Sequence, residues 1–558
     1  MRKFVSSVVA VLTLGMLAGV APSAGAATIS LEFLGSFDSG AGEAGSEIVA
    51  FDPRTDRMFI NNGADNRIDV VDISDPSAPT ADGSIDLSPY GAGVQSVAIG
   101  GRLGAAVVAS DPVTEKGKAV FFDPATLQVK RALEVGALPD MVTFTHDNRM
   151  ALVANEGEPR CIDANGNPVT DPALASNPEG SVSIIDLRHG IHHASVRTAR
   201  FNWWNGKEGW LRSKGVIVGN WPGATVAQDI EPEYITVAPH GGTAYVTLQE
   251  NNALATIDLW HAKVTSVRSF GLNRVSNPGN EMDASDEDDA FNQQPWPVKG
   301  MPMPDAIDSW SRGGKTFLIT ANEGDAREYF ANAENSDENP DGSDADVCFL
   351  NEARVSDMAL DAGIFPDAEM LQEDDMLGRL AVTTQFPSGY QGGTPPLDGS
   401  DPKDVEGLEY TRLASYGSRS FSVWSPSGAR LFDSANVIES TVYATDPGGW
   451  LGPDVPPWAT DVYDSRSDAK GPEPEAVAIA ELGHRVIALV GLERAGGIMA
   501  FDATNPWNPS FIEWETTAGQ VSPEGLSVIP ADQSPTGSVL VLAAFEISGT
   551  TAIYELAT

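Results

Sequence analysis

The stretch Leu138–Pro159, LPDMVTFTHDNRMALVANEGEP, decides the fold. It reads as a sharp turn, a short strand (MVTF), turn chemistry (HDN), a second strand of buried length (MALVA) and a polar loop. Asp140 stands at its start, and Asn155 and Glu156 stand at its end. The same grammar recurs along the chain. SEIVAFDPRTDRMFINNG begins at Ser46 and VQSVAIGGRLGAAVVASD at Val94. EPEYITVAPHGGTAYVTLQENNALATIDL begins at Glu231, and MPDAIDSWSRGGKTFLITANEGDAREY at Met303. An irregular sixth unit starts at Val405, a seventh at Glu473 and an eighth at Ser522. LGRLAVTTQF at Leu377 reads as a later strand of the fifth.

Units of three evident strands, with a fourth in each link, separated by Gly-rich turns, define an all-β protein. Repetition about every 45–90 residues makes it a single β-propeller. The blade number is seven or eight, with the unit count favouring eight. ISLEFLGSF at Ile29–Phe37 has no unit of its own and is expected to close the ring as the outermost strand of the last blade. Two insertions are expected, at 188–229, which carries FNWWNGKEGW, and at 328–346, which is acidic and turn-rich.

Residues 1–26 have a short basic start, an apolar stretch from Phe4 to Val20 and the small-residue site Ala24-Gly25-Ala26. That is a signal peptide, and it places residues 27–558 in the secreted, extracellular or periplasmic space. No later run reaches the ~18 apolar residues of a membrane span. The formal charge of −43 excludes nucleic acid and anionic membranes and favours cations or basic partners. A monomer is expected. Export also makes a disulfide between Cys161 and Cys348 permissible, two free thiols being the alternative.

In a propeller the first strand of a blade leaves the face to which the second returns, so entrance and exit acids of every unit should share one rim. Asp140 and Glu156, Glu233 and Glu250, Asp305 and Glu323, and Glu475 and Glu493 lie 16 to 18 positions apart; Glu524 and Glu546 lie 22 apart. With Asp325, Asn155 and Asn322 these form an oxygen-rich set. Crowded carboxylates need cations or partial protonation, and Ca²⁺ suits an irregular oxygen cage best. Arg327, Lys470 and Arg494 near the same rim are candidates for an anion or phosphate grip, or plain ion-pair partners of the rim acids. DENPDGSDADVC from Asp337 and DANGNPVTD from Asp163 match a calcium loop only in part, and both read as solvated acidic loops. No G-x-S-x-G, H-E-x-x-H or Walker pattern occurs, and Ser467–Lys470 fits S-x-x-K by letter only.

These repeats, together with GSRSFSVWSPSGARLFDS and RSDAKGPEPEAVAIAELGHRVIALVGLERAGGIMAFD, resemble the choice-of-anchor I family. The resemblance covers nearly the whole chain beyond Ala26. It implies a YVTN- or quinoprotein-like propeller at a cell surface. Some family proteins are described as alkaline phosphatases, which implies metal-dependent phosphoester cleavage as a second possibility. It supplies no catalytic residues. Family members commonly end in a sorting signal or membrane tail, whereas this chain stops at Thr558; free secretion or non-covalent retention is therefore expected. AAFEISGT also places Phe545 where related loops have Asn155 and Asn322. Two functions are expected. One is binding of a small molecule, partner or surface polymer through a cation-loaded rim; the other is a Ca²⁺-dependent phosphoesterase.

Overall fold

The computed structural model describes residues 29–163, 167–288, 290–330, 347–446 and 464–557. The signal peptide, nearly all of the 328–346 insertion and most of the calcium-loop-like segment from Asp337 lie outside the described residues, as does part of the one from Asp163.

Alternation of β-branched and small residues between Gly and Asn turns produces seven four-stranded sheets among the described residues, each an antiparallel meander. The first runs from Val49–Asp52 to Thr80–Asp86, the second from Gly93–Gly100 to Val129–Ala137, and the third from Pro139–Phe144 to Ser195–Arg200. The fourth spans Ile235–Val237 to Lys263–Ser269, and the sixth Pro474–Leu482 to Ser510–Glu515. The seventh contains Pro523–Ile529, Leu540–Phe545 and Thr550–Ala557. Its fourth, outer strand is Ser30–Asp38, which pairs Leu31 with Leu556 and Asp38 with Thr550.

The irregular unit at Val405 is not an eighth such sheet. Its strands Ser420–Trp424 and Arg430–Asp433 complete the fifth sheet, pairing onto Lys315–Asn322. Glu409–Ser415 and the expected later strand, now Ala381–Thr383, belong instead to a mixed side sheet. That sheet contains a parallel pair between Val298–Gly300 and Glu409–Ser415. The chain therefore leaves the fifth sheet after Asn322 and returns about a hundred residues later, and a linear reading divides the unit in two. The 188–229 segment also differs from expectation. Ser195–Arg200 is the outer strand of the third sheet, and only the residues after Arg200 depart from the pattern. Among them Phe201, Trp204 and Leu211 join the core between the third and fourth sheets.

Apolar faces pack sheet against sheet. Phe59 and Val70 of the first meet Val108 and Phe122 of the second. Comparable clusters join the second to the third, the fifth to the sixth, and the sixth to the seventh. Ile60 and Val71 of the first sheet pack with Leu540 and Leu542 of the seventh. The first strands of consecutive sheets also adjoin in order, and that of the seventh adjoins that of the first. Each fully buried Val, Leu, Ile or Phe contributes roughly 1.5–3 kcal/mol, so the seams between sheets dominate stability. Cys161 and Cys348 are bonded, 187 residues apart.

Candidate functional site

An acidic mouth is assembled by a repeated backbone device. Leu138, Met303, Glu473 and Ser522 all adopt left-handed backbone, with φ of 40°, 42°, 52° and 65°. Each is followed by a proline and then an acid: Asp140, Asp305, Glu475 and Glu524. Left-handed geometry costs a non-glycine residue about 1–2 kcal/mol, and its recurrence at one place marks a site. In three of the four sheets, the carbonyl of the left-handed residue accepts the N–H of the exit acid. Glu156 N donates to Leu138 O at 2.9 Å, Glu493 N to Glu473 O at 2.8 Å and Glu546 N to Ser522 O at 2.8 Å. In the fifth sheet Gly324 N takes that place, 3.1 Å from Met303 O. Strand pairing slips beside the acid after Pro139, Pro474 and Pro523, a bulge that re-aims a side chain. Entrance and exit carboxyls therefore flank one hydrogen bond in sheet after sheet.

These groups surround two cavities. One of about 150 Å³ is lined by Glu47, Asp140, Asp305 and Glu524, from the first, third, fifth and seventh sheets, with Tyr234 and Gln95. A larger one, about 380 Å³, is lined by Glu156, Glu158, Glu231, Glu233, Glu250 and Asp325, with Arg327 and Tyr329. Glu323, Glu475 and Glu493 form a further buried group, one carboxylate oxygen of each lying within 4.8 Å of the others.

Burial and mutual repulsion both resist ionisation here. Removal from water is the main cause for each acid named below, with neighbouring carboxyls adding to it in most. Glu156, Glu233, Glu250, Glu475 and Glu524 are held well above the usual carboxylate range. Asp140, Glu158 and Asp305 are pushed up to about 7, and Glu47 and Glu323 to about 8. Asp325 and Glu546 are raised as well. One oxygen, Oε2, of each of Glu233, Glu250 and Glu475 is buried without any hydrogen-bond partner.

Glu473 behaves in the opposite sense. Burial raises it, but Lys470, Arg466 and Arg494 outweigh burial and hold it down at about 2. Lys470 Nζ is 3.0 Å from Glu473 Oε2 and also bonds Glu323. Arg494 Nη2 is 2.9 Å from Glu493 Oε1, and its Nε is 3.6 Å from Glu473 Oε2. Arg327 is buried against Asp229 and lies 3.5 Å from Glu231. All three expected anion grips are thus engaged by carboxylates. Tyr329 OH donates to Glu231 Oε1 at 2.7 Å, and Trp221, Tyr329 and Phe349 stack beside the Cys161–Cys348 bond as a roof on this side.

Asn155 and Asn322 are strand staples. Asn155 Oδ1 accepts Gly136 N at 2.8 Å, and its Nδ2 donates to Ser181 O at 3.0 Å. Asn322 Oδ1 accepts Thr320 Oγ1 at 2.8 Å while Nδ2 donates to Ser422 Oγ at 2.8 Å. Both amides serve the sheet, which corrects their expected role as cation ligands. Spacing along the chain does not find Glu47 or Glu158. Glu47 opens the first unit without the proline that marks its relatives, and Glu158 lies inside the NEGEP loop. Ser467 Oγ bonds Asp464, not Lys470, so the S-x-x-K letters carry no nucleophile.

Repeated four-stranded antiparallel sheets, with buried acids gathered at their ends, define an all-β repeat protein. A sequence profile of the choice-of-anchor I domain matches residues 47–506, and the chain belongs to the choice-of-anchor I family. Gigasin-3a of Magallana gigas is 30% identical over 207 residues, 33% of this chain and 66% of that protein. The mesenchyme-specific cell surface glycoprotein of Strongylocentrotus purpuratus is 27% identical over 295 residues, 50% of this chain and 35% of that protein. The chain thus spans less than two thirds of either relative. Among solved structures, Kuenenia stuttgartiensis hydrazine synthase is similar at 11% identity and a TM-score of 0.41, covering 92% of this chain and 96% of that one. The Cps50 (Swd1) β-propeller domain of Myceliophteria thermophila is similar at 8% and 0.43, covering 95% and 100%. Among the described residues no helix is long and apolar enough to cross a membrane.

Proposed function

We propose that this chain is an exported, surface-associated or extracellular seven-bladed β-propeller that loads Ca²⁺ into its acidic mouth and binds a ligand, partner or surface polymer through it. The N-terminal strand closes the ring. Seven four-stranded sheets, seams between consecutive sheets and a seam from seventh to first support the ring. The signal-like residues 1–26 and the cell-surface name of one relative support the location. The observation that carries the binding reading is the buried, unpartnered Oε2 of Glu233, Glu250 and Glu475 among raised carboxyls. A buried acceptor left unsatisfied costs about 1–3 kcal/mol, and hard cations bound among these acids would satisfy them. The donor set is entirely oxygen, without thiolate or imidazole, and so fits Ca²⁺.

The phosphoesterase reading is the weaker one, because Arg327, Lys470 and Arg494 already face carboxylates. Calorimetric titration of the EGTA-stripped chain with Ca²⁺ tests the proposal. Binding with proton release is expected, reduced in a Glu233→Gln/Glu250→Gln variant; no Ca²⁺ binding would remove the cation-loaded mouth. In parallel, a generic phosphomonoester with Ca²⁺ should not be hydrolysed. Turnover lost in Glu323→Gln would replace the binding reading with the enzymatic one.

A further inference from the structure

A second cluster of acids lies outside the mouth. Asp283 and Asp288 sit on the loop between the fourth and fifth sheets, and Asp464 begins the segment that leads into the sixth. One carboxylate oxygen of each lies within 4.8 Å of the other two. Asp283 is fully buried. Its Oδ2 accepts Asn292 N at 2.9 Å, and its Oδ1 is buried with no hydrogen-bond partner. Asp288 is tied down by the same loop, Oδ1 accepting Ala290 N at 3.0 Å and Oδ2 accepting Asn292 Nδ2 at 3.0 Å. Ser467 Oγ donates to Asp464 Oδ1.

The obvious neighbour leaves Asp283 Oδ1 without a hydrogen-bond partner. Arg419 is beside it, but its guanidinium pairs with Glu439 at 2.7 Å and donates to the main-chain oxygens of Asp283, Ser467 and Ala469. A fully buried carboxylate oxygen with no donor, on an aspartate clustered with two further carboxylates, is costly unless a cation joins them. The donors are again all oxygen, and they come from an irregular loop, which suits Ca²⁺ better than the strict octahedron of Mg²⁺.

We propose that Asp283, Asp288 and Asp464 form a separate structural Ca²⁺ site that clamps the loop Asp283–Asn292 to the segment Asp464–Gly471. That segment carries Arg466 and Lys470 to the mouth, so the clamp fixes two of the three cations that hold Glu473 ionised. The site is independent of the mouth's own Ca²⁺.

Ca²⁺ alone is the probe. Equilibrium dialysis of the EGTA-stripped full chain counts bound ions for the unsubstituted protein, Asp283→Asn, Asp288→Asn and Glu233→Gln/Glu250→Gln. Each aspartate variant is expected to lose one ion, or to weaken it at least about tenfold, while the mouth variant keeps that ion. A folded Asp288→Asn protein with unchanged stoichiometry and affinity overturns the proposal. Asp288 is only half-buried, so this variant should fold even if Asp283→Asn does not. Trp296 gives a local readout, because its Nε1 donates to Met282 O at 3.0 Å, next to Asp283. Tb³⁺ in place of Ca²⁺ should emit on tryptophan excitation, with emission falling in both Trp296→Phe and Asp288→Asn. Emission unchanged in Asp288→Asn also overturns the site. Failure of the mouth variant alone to lose any ion would count against the proposed function and leave this clamp standing.

Discussion

The two arcs of the mouth solve the same electrostatic problem in different ways. Around Glu473, Lys470, Arg466 and Arg494 converge on one fully buried carboxylate and hold it at about 2. Around Glu233 and Glu250, under the roof of Trp221, Tyr329 and Phe349, Arg327 is engaged by Asp229 and Glu231, and the remaining acids stay raised. Burial is alike in both arcs; what differs is the supply of internal cations. In the first arc the chain itself supplies the cations for Glu473, while Glu323 and Glu475 stay raised. In the second, the proposed Ca²⁺ would supply what the chain does not.

That contrast can be broken most severely at Glu473. Removing its charge leaves three cations facing a neutral amide, and breaking a buried pair costs about 3–5 kcal/mol. Glu473→Gln should therefore lower urea stability by that amount with or without Ca²⁺. A loss below about 1 kcal/mol would mean the cations are balanced elsewhere.

The roof comes next. Replacing Cys161 and Cys348 together by serine should cost about 2–4 kcal/mol and weaken Ca²⁺ binding, since both residues pack on Trp221 and Tyr329. Unchanged affinity would separate the roof from the site. The smallest effect is expected in the second arc. In EGTA, Glu233→Gln should be neutral or mildly stabilising, because burial already opposes the charge of Glu233, while its stabilisation by Ca²⁺ shrinks. Destabilisation in EGTA comparable to that of Glu473→Gln would erase the distinction between the arcs.

Much of this architecture is legible in the residues. The strand–turn–strand phrase with acidic ends predicts sheets and a shared rim, because a period-two pattern between turns leaves few alternatives. The meeting of distant acids such as Glu47 and Asp305 is not legible, since it depends on how the sheets are placed in space. The fifth sheet defeats a linear reading because its third strand comes after a long excursion, and sequence order then stops reporting spatial order. The asparagines mislead for a chemical reason: an amide donates as well as accepts, and strand edges use both. The X-Pro-acid step at Leu138, Met303, Glu473 and Ser522 is present in the letters, but its left-handed backbone shows only in three dimensions.

The central claim concerns protons as much as metal. Asp140, Glu158 and Asp305 at about 7, and Glu47 and Glu323 at about 8, keep protons in the fold that the unfolded chain releases near 3.8 or 4.5. Between those values the native state binds more protons, so stability without Ca²⁺ falls as pH rises. Ca²⁺ takes the ionised form and should offset that fall. The direct measurement is the melting temperature from about pH 5 to pH 8, in EGTA and in Ca²⁺. The account predicts a decline in EGTA, a flatter curve in Ca²⁺ and a gap that widens toward pH 8. Coincident curves, or a melting temperature that rises with pH in EGTA, would contradict it.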